Sequence, residues 1–167
     1  DGPLEDALAG LGQLSREAVP VGERQRYGLV RARLLAALDR RGEALAVLEP
    51  LREAARDDED LLPGLALALL AAGAPDRALE LFQTDAIGPS TPLAVREAWA
   101  RALLARERWR SVTLIPAAAD ERQLHLLKGI AWRELGDRNK ARAALRQTVG
   151  RQAGRMPADA VVHLALA

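Results

Sequence analysis

The chain contains no cysteine. Disulfides, thiolate zinc sites and cysteine nucleophiles are therefore excluded, and the absence fits an oxidising compartment without demanding one. Aromatic residues make up only 3%, so an interior has to be built from Leu, Ala and Val, which favours closely packed helices over a β-sandwich. Lysine is almost missing: Lys128 and Lys140 are the only two, and arginine supplies the rest of the 24 basic residues. Together with the Ala and Leu bias, this composition points to a GC-rich bacterial genome. Neither sign of charge is in excess, since 23 acidic residues leave a formal net charge of +1. At the level of the whole chain there is no polyanion-binding signal, and no nucleic acid is expected. Long apolar runs are lacking too. The longest, LLPGLALALLAAGAP at 61–75, contains Pro63 and two glycines and is too short to span a bilayer, so no membrane insertion is expected. No signal peptide is visible at Asp1. What remains is a 167-residue chain with 49% hydrophobic residues, enough for one folded domain or a short array of repeated units.

Residues that could carry chemistry are few. His125 and His163 are the only histidines, and neither has a partner His or a carboxylate at i+4, so no metal site is expected. The acidic run Asp57, Asp58, Glu59 and Asp60 precedes a helix start, where carboxylates meet exposed amides, and reads as capping rather than chelation. Ser15, Ser90 and Ser111 lack the setting of an activated nucleophile, and the Gly-Leu-Gly at 10–12 is too short to cradle phosphate. The residues therefore predict neither an enzyme nor a cofactor. Trp99 and Trp132 read as core.

A period organises the chain. EDALAGLGQL (5–14), GEALAVLEPL (42–51), DRALELFQTD (76–85) and NKARAALRQT (139–148) align without gaps, pairing Ala7 with Leu11, Ala44 with Leu48, Ala78 with Phe82 and Ala141 with Leu145. Each pair is one stripe of a helix. Upstream of the last three lies a second helical stretch in which a small residue precedes a larger one by three: Ala32 and Leu35, Ala66 and Leu69, Gly129 and Trp132. The unit is thus a helical hairpin, helix A then helix B, with small residues where the two approach. Ala44 and Ala78 are 34 residues apart. A further 34 reaches Val112, inside RWRSVTLIPAAAD (108–120), whose β-branched run otherwise resembles a strand. The period makes it helix B of a third unit, ended early by Pro116. Asp120 with Gln123 is expected to form a capping box for the next helix.

Here the chain resembles the tetratricopeptide repeat family, in Gly129, Trp132, Leu135, Gly136, Ala141 and Leu145 of one unit and in Leu62, Leu65, Ala66, Leu69, Gly73, Ala78 and Phe82 of another. The resemblance implies an all-α, right-handed superhelical solenoid of antiparallel helix pairs over 1–167. Its expected parts are a partial unit at 4–20 (a helix B), full units at 25–55, 59–86, 93–116 (with a short helix B) and 121–150, and the start of a further unit at 157–167. Both ends then look like unfinished units of a longer protein, open to self-association.

The resemblance also implies a concave groove lined by the A helices, and by position this assigns Arg33, Leu67, Leu70, Glu97, Arg101, Leu104, Leu126, Ile130 and Arg133 to partner binding. Such a mixed apolar and guanidinium surface suits a peptide with apolar anchors and acidic character. The Lys and Asn clamp that some members use for a C-terminal carboxylate is not matched: Leu29 with Arg33, Gly64, and Ala94 with Ala98 stand there. The expected function is a non-catalytic scaffold binding a protein or peptide within a bacterial assembly. RNA binding by the helical array, self-association and a spacer role stand as alternatives. The expected location is soluble, in the cytoplasm or, favoured by the missing cysteine, the cell envelope.

Overall fold

The computed structural model describes residues 2–14, 20–55, 58, 60–82 and 87–148, and among them the chain forms ten α-helices and no strand. These are α1 (Pro3–Leu14), α2 (Val21–Ala37), α3 (Arg41–Leu48), α4 (Leu51–Ala54), α5 (Leu61–Ala71), α6 (Pro75–Leu79), α7 (Leu93–Ala105), α8 (Trp109–Leu114), α9 (Arg122–Glu134) and α10 (Arg138–Thr148). They fall into two compact units, Asp1–Phe82 and Gln83–Ala167. In the first, α2 packs on α1, α3 and α5, while α5 packs on α3, α4 and α6. In the second, α9 packs on α7, α8 and α10, and α7 packs on α8. Both units therefore follow one neighbour rule, in which each helix A meets its own helix B and the next helix A also meets the preceding helix B.

The turn between A and B recurs atom for atom. A left-handed residue stands in each: Asp39 (φ 57°), Gly73 (φ 76°), Glu107 (φ 55°) and Gly136 (φ 78°). These positions are 34, 34 and 29 residues apart, the same steps that separate Ala44, Ala78, Val112 and Ala141. Each left-handed residue donates its N–H three residues back, to Ala36, Leu70, Leu104 and Arg133. The following residue donates five back, from Arg40 to Leu35, Ala74 to Leu69, Arg108 to Leu103 and Asp137 to Trp132, at 2.8–3.0 Å. This double bond pattern is a Schellman motif, and it satisfies carbonyls that the helix end would leave open. Glycine meets the positive φ without penalty at two of the four, whereas Asp39 and Glu107 carry the Cβ strain.

The interior is repeated in the same steps. Ala32, Ala66 and Ala100 are fully buried in the A helices, and Ala44, Ala78, Val112 and Ala141 in the B helices. Leu35, Leu69, Leu103, Leu48 and Leu145 complete the apolar layer, each contributing about 2 kcal/mol on burial. At Gly129 the approach is closest: a Cβ there would lie 2.6 Å from the side chain of Leu145. Trp132 lies half-buried against the same cluster, with the Lys140 ammonium 4.4 Å above its ring, a cation–π contact. Trp99 is likewise half-buried rather than fully enclosed.

Local departures from the sequence reading occur in the first two B helices and at the start of α9. The first helix B is divided, because Pro50 lacks the N–H that would continue α3 into α4. The second, in the unit expected at 59–86, ends at Leu79 and passes through turn residues to Leu81, so α6 is shorter than the α8 that was expected to be the short one. The third contains the β-branched stretch as predicted: α8 is helical to Leu114, Ile115 turns extended at φ −61° and ψ 128°, and Pro116 follows. The expected capping box is not formed. Glu121, not Asp120, stands at the N-cap of α9 and makes no side-chain cap bond, its carboxylate being engaged elsewhere. The expected units at 4–20 and 157–167 lie partly and wholly outside the described residues.

Candidate functional site

The predicted groove residues divide between the two units. In the first, Arg33 of α2 is exposed, and Leu67 and Leu70 of α5 are half-buried and one turn apart. Between these two helices Leu29 closes on Gly64, where a Cβ would meet its Cδ1 at 2.8 Å.

In the second unit, Glu97, Arg101 and Leu104 occupy successive turns of α7 and are all half-buried. Burial pushes the Glu97 carboxyl above its ordinary range, and the Arg101 guanidinium only partly opposes that shift. On α9 the prediction requires correction. Leu126 is only 5% exposed and packs with Ala141 and Leu145, and the half-buried Ile130 packs against the same cluster. With no side chain on Gly129, α10 seats closely enough to cover Leu126, which is interior and not groove-lining. Arg133 is half-buried and donates from Nε to Glu134 at 3.0 Å.

The most elaborate polar arrangement was not foreseen. Arg96 on α7 is only 6% exposed. Its Nε donates to the Thr91 carbonyl at 2.9 Å and its Nη1 to the Pro116 carbonyl at 2.6 Å, while both Nη atoms pair with the Glu121 carboxylate. Glu121 also accepts the Ala118 N–H at 2.8 Å. The hydrogen bonds from Arg96 hold the Glu121 carboxyl below the usual glutamate range. Lys128 on α9 donates from Nζ to the Ile115 carbonyl at 2.8 Å, and burial lowers its pKa. His125 Nε2 lies 2.9 Å from the Ala118 carbonyl.

All four side chains serve the irregular backbone at 115–121, where the loss of five residues leaves peptide groups without helical partners. Arg96 occupies the position that Leu62 fills one unit earlier, and a charge in place of that leucine was the available signal. The cluster is closed on itself: each strong donor is directed at the protein's own backbone or at Glu121.

Of the acidic run, Asp58 Oδ1 accepts the N–H groups of Asp60 and Leu61 at 3.0 and 3.1 Å, whereas Asp60, at the N-cap of α5, makes no side-chain cap bond, and Asp57 and Glu59 lie outside the described residues. His163 lies outside the described residues. Among the described residues no helix is long and apolar enough to cross a membrane, and no group of three or more His, Asp or Glu could hold a metal ion. The chain matches no protein-family model, no curated protein and no solved structure.

Proposed function

We propose that the chain is a non-catalytic scaffold of the tetratricopeptide-repeat type that binds a protein or peptide along the flanks of its A helices, within a larger bacterial assembly. The observation that carries this reading is the four-fold recurrence of the same Schellman turn and buried Ala or Val in steps of 34, 34 and 29 residues. A chain that repeats a helical hairpin in fixed register presents side chains of the same rank on each helix A. Arg101 stands one residue beyond buried Ala100, and Leu67 one beyond buried Ala66. Leu70, Leu104 and Arg133 follow Leu69, Leu103 and Trp132 in the same way. Arginine beside leucine suits a partner with apolar anchors and carboxylates.

The test is affinity for a partner recovered with the native protein. Arg101→Glu with Arg133→Glu, and separately Leu70→Ala, are expected to weaken it about tenfold while the helical circular dichroism stays unchanged. Unchanged affinity in both variants overturns the assignment of these faces.

A further inference from the structure

The two units differ sharply in charge. Asp1–Phe82 carries 15 acidic residues against 10 arginines, a net −5, and Gln83–Ala167 carries 12 arginines and two lysines against 8 acidic residues, a net +6. The near-neutral whole conceals two opposite halves. Much of the positive charge is concentrated on α10, which holds Arg138, Lys140, Arg142 and Arg146 and no carboxylate. Lys140 is paired with Asp137 at 2.9 Å. Arg138, Arg142 and Arg146 are exposed, and among the described residues none of them pairs with a carboxylate. They sit at i, i+4 and i+8 on one flank, about 6 Å apart along the axis. Like charges at this spacing repel and disfavour the helix, and only Arg146, in the last turn, gains from the helix dipole.

The repeat shows what such a surface meets. In the first unit the corresponding outer helices are joined by charge: Glu49, just beyond α3, accepts from Arg77 of α6 at 3.3 Å, and Arg52 of α4 reaches Glu80 at 2.8 Å. The register that aligns Ala44 with Ala141 aligns Glu49 with Arg146. The sign is inverted at the position that carries the ion pair to α6. A helix seated on α10 as α6 is joined to α3 has to bring carboxylates. Residues 149–167 contain Arg151 and Arg155 against the single Asp159.

We propose that the exposed flank of α10 is a docking surface for an acidic helix of a partner protein, gripped by Arg138, Arg142 and Arg146. Planar guanidinium groups one turn apart match carboxylates repeated at the same interval. This surface is separate from the helix-A flanks, so the Arg101→Glu, Arg133→Glu variant is expected to keep it and the two readings fail independently.

The test uses the full 167-residue chain and a fluorescent alanine-based helical peptide with Glu at every fourth position. Its Gln counterpart and a 15-nucleotide uridine RNA serve as competitors. The Glu peptide is expected to bind with an affinity that falls as salt rises. The variant R138E/R142E/R146E is expected to lose at least about tenfold. Four results overturn the proposal: equal binding by that variant, equal binding of the Gln peptide, tighter binding of the RNA, or a salt-dependent self-association of the chain that the triple variant abolishes. The last would make the acidic unit of a second copy the occupant. If the triple variant does not fold, R142Q replaces it, with about threefold weakening expected and no weakening overturning the proposal.

Discussion

The first and second units solve one packing problem with different chemistry. Both stack helical hairpins by the same neighbour rule and the same Schellman turn, but the first keeps the full 34-residue step between its hairpins and the second keeps 29. Where the step is full, helix B ends are linked by ion pairs that stand in water: Glu49 is 55% exposed and Glu80 59%. Where five residues are missing, one buried pair does the joining, with Arg96 and Glu121 side chains 7% and 13% exposed. Exposed pairs contribute little because water and salt screen them. A buried guanidinium that lacks its carboxylate is far costlier. The shortened unit has thus exchanged several weak, replaceable links for one strong dependence.

That contrast can be broken most directly at Glu121. Glu121→Ala is expected to destabilise the protein by about 3 kcal/mol, whereas Glu49→Ala costs below about 1 kcal/mol; urea unfolding followed by circular dichroism measures both. Similar losses would erase the difference between the units. The same carboxylate sets an acid response. Its folded pKa is lowered, so its contribution is present above the ordinary glutamate range and is lost as pH falls through the folded value. Glu97, raised by burial, shifts stability the opposite way in that range. A Glu121→Gln variant is therefore expected to lose the acid-side decline that the parent shows in urea midpoints below about pH 4, and a parallel decline in both proteins would exclude Glu121 as its source.

A smaller effect is expected at the closest helix contact. Gly129→Ala places a methyl 2.6 Å from Leu145 and is expected to cost about 1–3 kcal/mol, although Ala32, Ala66 and Ala100 occupy the matching positions without difficulty. The smallest difference lies in the turns. Glu107→Gly relieves a positive φ that Gly73 and Gly136 already accommodate, and a gain of about 0.5–1 kcal/mol is expected. A loss in thermal melting would show that Glu107 contributes more through its side chain than it loses through its backbone.

The hairpins were legible because their signals are local. An Ala followed by a Leu four residues on, and a Gly at the left-handed turn, state both period and helix face, and Val112 could be placed in a helix despite its β-branched neighbours Thr113 and Ile115 because the period outweighed its propensity. The clasp was not legible in the same way. Arg96 is buried by partners 20 and 25 residues away, at Pro116 and Glu121, and helical spacing says nothing about distances of that kind. Leu126 failed for a related reason. Its rank on helix A matches Glu97 of α7, which is half-buried, and only the closer seating of α10 moves it inside. The end of α6 was misjudged because an Ala–Phe pair fits a helix, and the pair alone does not show where hydrogen bonding stops.

The bond between Arg96 and Glu121 has a consequence for how the second unit opens. Arg96 belongs to the third hairpin and Glu121 to the start of the fourth, so neither can fray while the other stays closed without stranding a buried charge. In an array held together only by neighbouring apolar faces, amide hydrogens are released hairpin by hairpin, each with its own opening free energy. Here α7 to α10 should exchange as one cooperative block, and α2 to α6, joined by exposed pairs, in smaller steps.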